Sequence, residues 1–105
     1  MVQAQRLVVP PEVVKAIKSY RHACRMAWKL RRDLHLTQRQ LAQQAGLYTS
    51  HVSDYFSLHA HRRELPARHV AVVSAVLGNT VIGQYLAQQD HLTLLEELQA
   101  ARRAA

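Results

Sequence analysis

Residues 38–56 read QRQLAQQAGLYTSHVSDYF, and this stretch decides the fold. Thr37 stands just before it, and its hydroxyl suits a helix N-cap. Gln40 follows three residues on, the spacing of a capping box. Leu41 and Ala42 come one turn into that helix, and Gly46 ends it, because glycine takes the left-handed conformation of a C′ residue at no steric cost. Thr49 or Ser50 then opens a second short helix carrying Val52, Tyr55 and Phe56. Two short capped helices are thus joined at one glycine.

Working outward, the N-terminal flank is helical as well. Pro11 suits a first helical turn and Glu12 beside it complements the helix dipole. From Val13 to Leu34 the apolar residues Val13, Ile17, Tyr20, Cys24, Ala27, Trp28, Leu30 and Leu34 project to one side at helical spacing. Lys15, Lys18, Arg21, Arg25, Lys29 and Arg32 form a separate basic stripe, and Arg31 projects among the apolar residues. The segment reads either as one helix or as two that break near Ser19. On the other flank a polar, histidine-rich loop spans 57–65, Pro66 starts a helix and Gly78 ends it. Asn79 caps a helix with Val81, Ile82, Tyr85 and Leu86, and Asp90 caps a last one with Leu92, Leu95 and Leu98.

The expected fold is therefore all-α: a compact helical domain of five to six helices. Residues 1–10 read as a flexible arm, 11–99 as the folded domain and 100–105 as a frayed tail. A chain of 105 residues suits one core, and 49% hydrophobic with 20% charged residues is a globular composition.

The formal net charge of +7 points to a polyanionic partner, most often nucleic acid. Its distribution is uneven. Residues 13–63 hold ten Lys and Arg against Asp33 and Asp54, a net of +8, whereas 64–105 hold three Arg against four acids. The binding face belongs in the first two-thirds of the chain.

The register of Gln38, Leu41-Ala42, Gly46 and the short helix after it resembles the helix-turn-helix of the lambda repressor and Cro (XRE-like) family, over roughly residues 20–78. In that arrangement Ala42 is small because the two helices cross tightly, and Leu41, Leu47, Val52 and Tyr55 face inward. The resemblance implies a sequence-specific regulator of transcription, in the manner of a repressor, whose second motif helix enters the major groove of double-stranded DNA. It implies base contacts from Tyr48, Thr49, Ser50, His51, Ser53 and Asp54. Phosphate contacts fall to Gln38, Arg39, Ser57, His61, Arg62 and Arg63. The loop at Ser57-Leu58-His59-Ala60-His61 departs from the pattern, since family members often carry a glycine there.

Two-fold operators imply a homodimer. The near-neutral C-terminal third, with Val81, Ile82, Tyr85, Leu86, Leu92, Leu94, Leu95 and Leu98, is the expected dimerisation element. Gly78 to Ala87 looks like the C-terminal part of some prophage regulators, which suggests a bacterial or phage origin. The rival reading is a protein-interaction module, an antitoxin or adaptor, that keeps the motif and uses the Leu-rich end.

Neither a catalytic arrangement nor a cofactor motif is legible. There is no glycine-rich phosphate loop and no Ser/His/Asp pattern. His59-x-His61 lacks a Cys or acid at ligand spacing, so no metal is expected. Cys24, the single cysteine, fits a reducing cytoplasm and falls on the apolar face. No apolar run reaches membrane-span length and no secretory signal is read, so a cytoplasmic, nucleoid-associated protein is expected.

Overall fold

In the computed structural model the described residues are 6–59 and 61–104. They form six α-helices: α1 (Pro11–Lys15), α2 (Tyr20–Lys29), α3 (Gln38–Ala45), α4 (Thr49–Tyr55), α5 (Val70–Leu77) and α6 (Val81–Ala104). A single 3-10 turn, Ala67–His69, leads into α5. Helix α2 is the shared support, packing against α4, α5 and α6, while α3 packs on α4 and α5, and α1 on α6. The core gathers Ala23, Cys24, Ala27, Leu41, Val52, Phe56, Val73, Leu77, Val81 and Ile82, all essentially out of water. Trp28 stacks on Phe56 with ring centroids 5.2 Å apart. None of the helices among the described residues is long and apolar enough to cross a membrane.

The α3–α4 unit follows its local chemistry. Gln40 N–H donates to Thr37 Oγ1 at 3.1 Å and Thr37 N–H to Gln40 Oε1 at 3.0 Å, a complete capping box. Gly46 has φ 71°, and its N–H and that of Leu47 both donate to Ala42 O, closing the helix end. A Cβ on Gly46 would meet nothing within 4 Å, so the cost of a side chain there is conformational alone. Gly46→Val should lower stability by about 1–2 kcal/mol. In calorimetry that is a melting point lower by about 4–16 °C for a chain of this size. Gly46→Asn should lose far less, and an unchanged melting point for Gly46→Val would contradict the left-handed turn.

Of the two readings of 11–34, the structure has the break near Ser19, which caps α2 through its Oγ by accepting from His22 N–H at 3.1 Å. Other expectations need correction. Helix α2 also stops at Lys29, short of Leu34, and Leu30 and Leu34 are exposed rather than core. Arg31 explains the stop. Its guanidinium lies 4.1 Å over the Trp28 ring and donates to the carbonyls of Trp28, Leu34 and Leu36, folding the following loop back onto the helix end. Helix α4 is capped by neither Thr49 nor Ser50, and Tyr48 occupies its N-cap without a side-chain bond. Asp90 caps nothing, since α6 runs unbroken for 24 residues. That helix includes 100–104, expected as a frayed tail; Ala105 lies outside the described residues.

The N-terminal arm is tied down over its described part. Leu7 forms a parallel bridge with Asn79, its N–H donating to Gly78 O and its O accepting from Thr80 N–H, each at 3.0 Å. Val9 is held at both backbone groups by one side chain. Gln84 Oε1 accepts from Val9 N–H at 3.1 Å and Gln84 Nε2 donates to Val9 O at 2.9 Å. Residues 1–5 of the expected arm lie outside the described residues.

Candidate nucleic-acid interface

Helix α4 buries Val52 and Tyr55 and turns Thr49, Ser50 and Ser53 outward. Thr49, Ser50 and Ser53 are exposed, and Tyr48 is 74% exposed at its start. His51 is half-buried, its ring edge-on to Tyr48 at 5.1 Å and to Tyr55 at 6.5 Å. These contacts at i, i+3 and i+7 hold the imidazole upright on the outer face. Five of the six residues expected to meet bases thus share one polar surface.

Asp54 departs from that expectation. Its side chain is only 13% exposed and pairs with Arg63 at 3.0 Å and Arg62 at 3.5 Å. The carboxylate faces the loop after α4 and links both arginines to the end of that helix. The two arginine side chains themselves stay more than half exposed. Ser57 also turns into the loop, where its Oγ accepts from His59 N–H at 3.2 Å. His61 is exposed with its ring 5.6 Å from that of His59, and Ala60 lies outside the described residues. Among the described residues no group of three His, Cys, Asp or Glu is placed to hold a metal ion.

Gln38 and Arg39 stand at the start of α3, with Arg39 exposed and Gln38 half-buried. On the far side, Arg68 and His69 line a shallow cleft together with Gly46, Leu47, Tyr48, His51 and Tyr55. Sequence reasoning passed over this pair. The only available signal was an Arg-His doublet directly after the helix-starting Pro66.

The basic stripe from Lys15 to Lys29 divides. Arg21 is 7% exposed, so it is not a surface cation. It donates to Asp54 O at 2.9 Å, to Ser57 O at 2.8 Å and to Arg62 O. Arg25 donates to Phe56 O at 3.3 Å, with its Nε buried and unpartnered. The physical reason is the C-terminus of α4, whose carbonyls carry negative partial charge and sit directly over α2. Lys15, Lys18 and Lys29 remain exposed.

The apolar side of α2 is inert chemically. Tyr20 OH donates to Leu65 O at 2.7 Å, and burial raises its hydroxyl above the ordinary value. Burial pushes the Cys24 thiol up to about 12, which keeps it protonated and unreactive.

Comparisons with family models, with curated proteins and with solved structures return no match for this chain.

Proposed function

We propose that the chain is a double-stranded DNA-binding regulator that reads the major groove with the outer face of α4. One observation carries this reading. The exposed surface of α4 is polar, built from Tyr48, Thr49, Ser50 and Ser53, and exposed cations flank it at Arg39, Arg62, Arg63 and Arg68. Short hydroxyl side chains can bond base edges, and the cations suit phosphates on either side of a groove. Five exposed leucines, Leu86, Leu92, Leu94, Leu95 and Leu98, lie on α6, which does not pack against α4, while Leu58 alone follows α4 in the loop after it. Asp54 serves this reading as a positioning group for Arg62 and Arg63 rather than as a base contact.

Selection of binding sites from a random duplex pool should recover a defined sequence. The affinity for that sequence should fall steeply with salt. With about six phosphates neutralised, log K falls against log salt with a slope near −5. A flat salt response in a filter-binding titration overturns the DNA reading.

A further inference from the structure

The last four turns of α6 leave the body of the protein. Every residue from 89 to 103 is exposed, and 16 residues of helix from 89 to 104 extend about 24 Å. That projecting rod carries Leu92, Leu94, Leu95 and Leu98, between 43% and 61% exposed. A polar rod in water would not carry four leucines within seven residues, so a partner surface is implied.

The order of residues names the partner. His91, Leu94, Leu98 and Ala101 follow one another at spacings of three, four and three, the seam of a two-stranded coiled coil with His91 and Leu98 at a and Leu94 and Ala101 at d. Leu95 and Arg102 then fall at e, and Asp90 and Glu97 at g. Leu92 lies off the seam. At the positions that flank the seam, the acids Asp90 and Glu97 sit at g and the cation Arg102 at e, while Glu96 and Arg103 fall at f, away from it. In an antiparallel pair, g faces g, so acids would meet acids. In a parallel pair, g of one helix meets e of the other five residues on, which brings Glu97 to Arg102 of a second copy, twice by symmetry. His91 at an a position would face its own counterpart only in register, and so fixes the alignment.

We infer that residues 91–104 of α6 pair in parallel with the same residues of a second copy, through Leu94 and Leu98, with Glu97 of each chain bridging Arg102 of the other. The inference stands apart from the DNA reading, and its test contains no DNA.

Sedimentation equilibrium from about 1 to about 300 µM should show a monomer–dimer equilibrium. Leu94→Asp with Leu98→Asp should give a monomer. Because both leucines are exposed in the single chain, the near-UV signal of Trp28 should stay native. Glu97→Arg alone and Arg102→Glu alone should each raise the dissociation constant about three- to tenfold. The double exchange should restore it, and a mixture of the two single variants should form a heterodimer preferentially. A wild-type protein monomeric at all concentrations overturns the inference, and so does a dimer that survives the aspartates. A dimer strengthened by Glu97→Arg alone overturns the parallel arrangement.

Discussion

Replacing Arg21 with methionine should cost about 3 kcal/mol of stability, although the residue sits in a basic stripe apart from the apolar residues. Arg21 is 7% exposed, and its guanidinium holds the carbonyls of Asp54, Ser57 and Arg62 at once. Methionine keeps the packing of the stem and removes every donor. Three carbonyls, one in the last turn of α4 and two in the loop after it, would then lack the charged partner that satisfies them, and hydrogen bonds to a charged group contribute about 1.5–3 kcal/mol each. The full sum will not appear, because the loop can loosen and let water reach some of those oxygens. The loss should therefore have a local signature, with amide exchange accelerated first over residues 57–65. Arg21→Lys should recover only part of the stability, since an ammonium cannot present the planar fork that spans separate carbonyls. Lys18→Met, on an exposed neighbour, should change stability by less than about 0.5 kcal/mol. Urea unfolding of the three variants checks the order, and equal midpoints for Arg21→Met and Lys18→Met would contradict the bracing role.

The second large effect lies at Ile82. Its side chain is fully buried at 0% exposure, where α6 crosses the rest of the core, four residues before Leu86 at 39%. Ile82→Glu places an uncompensated charge in that interior. The penalty is about 3–5 kcal/mol for the charge, with roughly 1.5–3 kcal/mol more for the lost apolar burial. That is comparable with the whole stability of a small domain. The far-UV signal of Ile82→Glu should collapse at 25 °C, whereas Leu86→Arg should remain folded with a stability change within about 0.5 kcal/mol. A folded Ile82→Glu protein would show that α6 does not dock as described. The expectation that Val81, Ile82 and Tyr85 lie in a dimer interface is corrected accordingly, because all three complete the core of the single chain.

What could be read from the sequence was what the chain decides over a few residues. The box of Thr37 and Gln40, the left-handed Gly46 and the inward Leu41 and Val52 each depend on neighbours within one or two turns, so the α3–α4 unit stood out. Projection onto a helical wheel gives an angle but not what lies at that angle. Arg21 shares its stripe with Lys18, and only the arrival of α4 from more than 30 residues away separates them. The same limit hid Arg31, whose position among apolar residues made sense only once Trp28 and the loop carbonyls closed around it. It also hid Gln84 as the holder of Val9, across 75 residues. In the candidate interface, the polar side of α4 followed from the resemblance to the repressor motif. The orientation of Asp54 did not, because it depends on how the loop carrying Arg62 and Arg63 returns.

The grip of Gln84 on Val9 orders events during synthesis. The arm and α1 dock against α6, so neither has its partner until residue 84 and the helix around it have been made. The contacts that hold α3 to α4 lie within a span of 18 residues and can close much earlier. On the ribosome, residues 7–15 are therefore made before α3 and α4 but settle after them. Val9, buried in the finished protein, stays open to chaperones and proteases until Gln84 and the helix around it have been made.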